Sequence, residues 1–428
     1  MDNLRNEVGE TGVDRQASSV TLPIASRRSA LRQWLYRFIN VFYFERITLV
    51  HPEHLPRGGP VLYLGLHRNG AVDGFVYDQV LRHPVFMIST QLRKNWFGRL
   101  FFEGIAVSRT KDEGDRTFND AALRKCLDHL RAGGELFVFP EGTSSLGPRH
   151  LPFKSGAVWL LLEYLEGGNS PPLRVVPLGI HYEWPWAFRS KGEVVVGQPI
   201  STDLPPAASR IDRLKLMKRR MQSALEEAGL NVPSDEYQEL IQRFAYVATL
   251  GTQRSYFKSL KTSERAVPVK VMDEWHSLEP ALQEAKLLYH QGVPLFPIGP
   301  AALYLAAFFV ITPLVLAAIA LNLPAFVAGW YAGKKLPDGR NVVSLWKILV
   351  GVPVFLLWGG FVILVLLLLG KFMWLAAYLA LTCAGVKLYY RFKKLAVAVH
   401  NALRQPALRG RMLRFHQTVV QSLPNESA

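Results

Sequence analysis

Residues 61–73 read VLYLGLHRNGAVD, and this stretch decides how the chain around it is organised. A short apolar run, Val61 to Leu66, has the length and composition of a strand. A polar loop containing Gly70 follows it, and helical periodicity begins a few residues later, near 74–82. The same alternation continues outward in both directions. Strands are expected near 47–50, 85–89, 105–109, 135–139, 174–180 and 193–196, with further helices near 117–132 and 155–166. Strands interleaved with helices predict an α/β fold whose mostly parallel sheet is flanked by helices on both faces. Such sheets bind ligands beyond the carboxyl ends of their strands, so chemistry is sought in the loops that follow them.

Two loops stand out. The first holds His67 and Asp73: an imidazole titrates near neutrality, and a carboxylate on one ring nitrogen leaves the other free to take a proton from a hydroxyl. The second is Phe137-Val138-Phe139-Pro140-Glu141-Gly142-Thr143-Ser144, followed by Leu151-Pro152-Phe153-Lys154-Ser155-Gly156-Ala157 at a helix start. A turn carrying a carboxylate, backbone amides at a helix start and the Lys154 cation suit a phosphate with neighbouring hydroxyls. His150, His181 and His290 have no acid at matching spacing and read as structural. Glu103 reads as a solvated acid, and Trp184 and Trp186 fit either a core or a membrane interface.

Composition narrows the function classes. The 428 residues are 49% hydrophobic and 20% charged, the opposite of a disordered chain. Two cysteines, Cys126 and Cys383, are too few for a disulfide framework or a cysteine-ligated metal, and no metal site or cofactor is expected. The net charge is +16, of which residues 291–428 carry +11 beside the longest apolar runs. That placement favours an anionic lipid surface over nucleic acid. Residues 303–321 and 348–370 are free of charge and long enough to cross a bilayer; 372–386 is a shorter candidate. The 303–332 stretch, interrupted at Asn322-Leu323-Pro324, suits a re-entrant pair, and 348–386 suits a hairpin turning at Gly370-Lys371. Near 208–228 a basic helix is expected with Ile211, Leu214, Met217 and Met221 along one face.

His67 to Asp73, Gly104 to Arg109, Phe139 to Thr143 with Pro152 to Ala157, and Val176 to Ile180 follow one another in the order of four family blocks. Together they resemble the phospholipid/glycerol acyltransferase superfamily, including its glycerol-3-phosphate and 1-acylglycerol-3-phosphate acyltransferases, over about residues 45–200. The resemblance implies a glycerolphosphate acyltransferase-like fold in which His67 is the general base and Asp73 orients it. It further implies that Arg109 and Glu141 bind a glycerol-phosphate or lysophospholipid acceptor, with Gly142 and Thr143 shaping the turn. The acyl donor would be acyl-CoA or acyl carrier protein, used as substrate. Lys154 as a phosphate contact follows from its charge and position. One departure bears on the mechanism: five residues separate His67 from Asp73 where the family has four. On an ideal helix the two would stand about 600° apart. The pair works only if Gly70 turns the chain back, since Asp78 is too distant to substitute.

The expected organisation is a disordered N-terminal tail (1–25), an amphipathic interfacial helix (26–44), an acyltransferase domain (45–205), a helical extension (206–292), a transmembrane region (293–395) and a basic C-terminal tail (396–428). The expected protein is an integral membrane O-acyltransferase of phospholipid biosynthesis with a cytoplasmic catalytic domain, its partners a lipid bilayer, the acyl donor and the phosphate acceptor. Two other classes compete. A non-catalytic membrane adaptor with a decayed site would not turn over acyl-CoA, and a transporter would need ionisable residues along its spans, of which there are almost none.

Overall fold

Residues 30–81, 84–94, 96–108, 116–168 and 170–423 are described by the computed structural model. The expected 1–25 tail and Arg109 lie outside them. A first helix, α1 (Ala30–Tyr43), leads into β1 (Phe44–Val50), and β2 (Val61–Gly65) and α2 (Val72–Val80) form the strand–loop–helix unit around His67. Then come β3 (Val85–Ser89), α3 (Trp96–Phe101), β4 (Ile105–Val107), α4 (Arg116–Arg131), β5 (Glu135–Val138), α5 (Gly156–Glu166), β6 (Arg174–Tyr182) and β7 (Ser190–Val196). The strands assemble in the order β1-β7-β6-β2-β5-β3-β4, parallel except for β6 against β7.

β2 is central and every residue in it is buried, as a strand covered on both faces must be. Its side chains alternate between two cores: Val61 and Tyr63 face a layer containing α1 and α2, and Leu62 and Leu64 face α4, α5 and a later helix, α6 (Arg210–Ala228). Leu64 pairs with Val138 of β5 and Gly65 with Leu178 of β6. That register brings the loop after β2 beside the loop after β5.

Three more helices, α7 (Asp235–Ala248), α8 (Tyr256–Arg265) and α9 (Val269–Glu284), follow α6 and precede a short hairpin, β8 (Tyr289–His290) with β9 (Val293–Pro294). Ser209, Ser234 and Ser255 cap α6, α7 and α8 by accepting from backbone N–H groups that each helix start leaves unpaired. On α6, Met217 and Met221 are buried, whereas Ile211 is exposed and lies off the expected face.

The C-terminal third is α10 (Ala301–Leu321), α11 (Leu323–Lys335), α12 (Val343–Leu368), α13 (Phe372–Arg404) and α14 (Pro406–Ser422). Residues 301–321, 340–368 and 372–404 form three helices long and apolar enough to cross a membrane. The chain breaks at Asn322, whose side chain is fully enclosed: its amide donates to Ala318 O and Thr382 Oγ1 at 3.0 Å, and its oxygen accepts from the Tyr378 hydroxyl at 2.9 Å. The α10–α11 turn therefore sits six to ten residues into α13, about 9–15 Å along it, and its polar groups are satisfied there.

Two expectations need correction. The third apolar segment is not a short 372–386 helix: α13 runs on to Arg404, because its second half packs on the helical extension. Nor is 396–428 a tail. Met412, Phe415 and Val419 of α14 are buried against α7 and α9, so the C-terminus, as far as residue 423, belongs to the core of the helical extension. The N-terminal helix does two jobs, since Leu35, Tyr36, Ile39 and Tyr43 are buried on the sheet layer while Leu31 and Trp34 stay exposed.

Asn401 fastens α13 to the extension. Its side chain, completely buried, accepts from Leu288 N–H at 2.9 Å and donates to the Leu288 and Leu295 carbonyls at 2.9 and 3.0 Å. Replacing it, Asn401→Leu, removes all three bonds and orphans the buried Leu295 carbonyl at a cost of about 1–3 kcal/mol. Thermal unfolding of the full chain in detergent should show a clear fall in midpoint; an unchanged midpoint would refute this role.

Candidate active site

Asp73 lies in the first turn of α2 and is wholly buried. Its Oδ2 accepts from His67 Nδ1 at 3.0 Å and from the backbone N–H groups of Arg68 and Asn69 at 2.6 and 2.8 Å. Oδ1 accepts from the Tyr182 hydroxyl at 2.7 Å. Burial, with Asp73 adjacent, raises the Tyr182 pKa well above its ordinary value, which keeps that hydroxyl a donor. The five-residue spacing thus has a geometric solution. Gly70 takes φ +56°, and its N-terminal neighbours wrap around the carboxylate with their amides pointing in.

The Asp73 contact sets the imidazole's chemistry. With Nδ1–H donating to Asp73, Nε2 carries the lone pair, and among the described residues it has no hydrogen-bond partner. The ring stacks on Phe139 with centroids 4.1 Å apart, and its side chain is 15% exposed, enough for a substrate to reach.

Glu141 bonds to backbone on both of its oxygens. Only 2% exposed, it accepts His67 N–H on Oε1 at 2.9 Å and Leu151 N–H on Oε2 at 3.2 Å. Each oxygen thus holds one backbone N–H, and through Oε1 Glu141 positions His67. Burial raises its pKa, opposed by those two N–H donors and by the charge of Arg68. Ser145 N–H closes the same junction by donating to the His67 carbonyl at 3.0 Å. Gly142, at φ +70°, lies under the Lys154 side chain, where a Cβ would come within 2.8 Å of Nζ. Thr143 is half-buried beside it and Lys154 is exposed. His67, Asp73, Glu141, Gly142, Thr143 and Lys154 therefore share one end of the sheet, whereas Arg109 is outside the described residues.

Sequence reasoning missed two groups. Arg68 is 8% exposed, donates from Nη2 to Gly147 O at 2.8 Å, and leaves Nη1 buried without a partner. Asn341, from the α11–α12 connection, donates to Ser144 O and Oγ at 3.2 and 2.6 Å, and its carbonyl packs over Gly70. The first has no signal in sequence apart from its histidine neighbour, and the second carries no local motif.

Residues 33–181 match the model of the Acyltransferase family. The matched segment begins within α1 and ends in β6. Among curated relatives, the chain is 34% identical over 85 residues to glycerol-3-phosphate O-acyltransferase 2 of Saccharomyces cerevisiae, covering 20% of this chain and 11% of that protein. It is 26% identical over 164 residues to the glycerol-3-phosphate acyltransferase of Alteromonas mediterranea, covering 36% and 19%. The chain thus spans only about a tenth to a fifth of the length of these relatives. A solved structure, the 1-acyl-sn-glycerophosphate (LPA) acyltransferase PlsC of Thermotoga maritima, aligns at 18% identity with a TM-score of 0.32, over 46% of this chain and 78% of its own.

Buried histidines near this end make stability depend on pH. Burial pushes the pKa values of His150 and His181 from 6.5 down to about 3. Below 6.5 the unfolded chain takes up protons at these positions and the native state does not, so stability is lost progressively from pH 6.5 toward 3. Glu141, with its pKa raised, acts in the opposite sense and regains some stability on protonation. The urea midpoint should fall between pH 7 and pH 5. His181→Asn, which retains an N–H donor for Ala228 O, should flatten the slope; an identical slope would contradict the assignment.

Proposed function

We propose that this protein transfers an acyl group from a thioester, acyl-CoA or acyl carrier protein, to the hydroxyl of glycerol 3-phosphate or 1-acylglycerol 3-phosphate at a membrane surface. The observation that carries the reading is the His67–Asp73 contact at 3.0 Å, which leaves Nε2 as a base at the end of a domain of the Acyltransferase family. Nε2 takes the proton as the acceptor oxygen bonds to the thioester carbonyl carbon. Breakdown of the tetrahedral intermediate breaks the C–S bond, and the imidazolium returns the proton to the departing thiolate. Lys154 and the Gly142–Thr143 turn supply charge and polar contacts for the acceptor phosphate. Metal and cofactor have no step in this reading, because a thioester is already activated.

Membrane attachment follows the same logic, since the acyl product is apolar while glycerol 3-phosphate and the acyl carrier are water-soluble. The apolar outer faces of α10, α12 and α13, including Phe309, Leu357, Phe361 and Trp374, are exposed and suit lipid contact. The basic ends of the helices touch the catalytic domain: Lys347 Nζ donates to Trp186 O at 2.7 Å and Lys393 Nζ to Phe188 O at 2.9 Å. Placing those ends on the cytoplasmic face puts the domain there too.

Purified full-length protein should transfer acyl groups from acyl-CoA to one of the two phosphate acceptors. His67→Ala should lower the rate about 10²–10⁴-fold without loss of fold. Glu141→Gln should lower it less, because only the His67 backbone is displaced. Wild-type rates in both variants would overturn the assignment of roles.

A further inference from the structure

A cavity of about 970 Å³ opens against the domain at Leu66 and Arg68, the residues on either side of His67, and is roofed by α11 and the start of α12. Arg68 is the decisive group. It is more than nine-tenths buried, lines the cavity, and has a guanidinium nitrogen with no partner. Such a group costs stability unless something fills its hydrogen-bonding capacity. His150 shares the wall, and neither of its ring nitrogens is bonded. Lys334, Arg340 and Lys347 come from the roof, and among the described residues none of the four cations pairs with a carboxylate. Asp235 and Glu239 line the far side, and Glu239 is already bonded to Arg243. The cavity is therefore built for an anion, and guanidinium forks favour phosphate.

A second, apolar cavity of about 190 Å³ adjoins it and shares Trp330 and Lys347 as walls. Phe42, Phe188, Phe326 and Phe355 line it, and Gly329 and Gly351 let α11 and α12 pack closely along one side. A cationic chamber beside an aromatic slot that lies among the apolar helices matches a molecule with a phosphate at one end and a hydrocarbon chain at the other.

We infer that these two neighbouring cavities together bind a phosphate-headed lipid, its phosphate on Arg68 and its chain in the slot between α1, α11 and α12. The C-terminal helices thereby contribute a binding site, beyond any role in attachment, from residues outside the 33–181 family match. The inference goes beyond the acyl-transfer reading, whose acceptor phosphate meets Lys154 and the Gly142–Thr143 turn, none of which lines this cavity, and it stands or falls without that reading because binding requires no turnover.

The test is equilibrium binding to the full chain in detergent micelles with no acyl donor present. Three probes are compared: 1-acylglycerol 3-phosphate, monoacylglycerol, which lacks the phosphate, and glycerol 3-phosphate, which lacks the chain. The first should bind at least about 10-fold tighter than either of the others. Lys334→Gln with Arg340→Gln, both exposed positions, should weaken it about 10-fold while leaving monoacylglycerol unchanged. Ala325→Leu, which fills the slot, should weaken it as well, with thermal unfolding as the check on folding. Equal binding of the three probes, or an unaltered affinity in the folded double variant, would overturn the inference.

Discussion

A single buried carboxylate organises the reactive end of this molecule. Asp73 accepts from an imidazole, two backbone amides and a tyrosine hydroxyl, and a charge removed from water is stable only when surrounded by donors in this way. The arrangement has consequences in both directions. Inward, Tyr182 ties the His67 loop to β6, so the sheet holds the loop. Outward, the amides of Arg68 and Asn69 fix the chain from which the Arg68 side chain reaches the cavity beneath the roof.

The loop after β5 completes the arrangement through backbone, since Glu141 and Ser145 bond to the amide and carbonyl of the same residue, His67. A conventional acid in a turn would stay in solvent. Here it holds two loops in register, and the parallel pairing of β2 with β5 is what places it within reach. The roof adds a third contact, with Asn341 spanning Ser144 and Gly70. The sheet domain and the apolar helices thus meet at the two motif loops.

Much of this was legible in sequence, and the reasons are physical. Buried parallel strands leave apolar runs, so β2, β3, β5 and β6 were evident from Val61, Val85, Leu136 and Val175 outward. The mostly parallel sheet followed from their alternation with helices. The return of the chain at Gly70 was foreseeable as a requirement, but the donors that enforce it were not, because amides carry no sequence signature. Long-range partners were invisible for the same reason: nothing near Glu183 or Asn401 announces Tyr390 or Leu288. The continuation of α13 past the membrane-compatible segment was missed because Lys387 to Lys394 reads as a basic flank, although Tyr390 turns inward to bond Glu183 at 2.7 Å.

Selective nitrogen labelling of the histidines, with His67→Gln to assign the resonance, reads the state of the imidazole directly. The account predicts that the neutral His67 ring carries its proton on Nδ1, facing Asp73, and that Asp73→Asn abolishes this preference. A His67 ring protonated on Nε2 in the folded wild-type protein would contradict it.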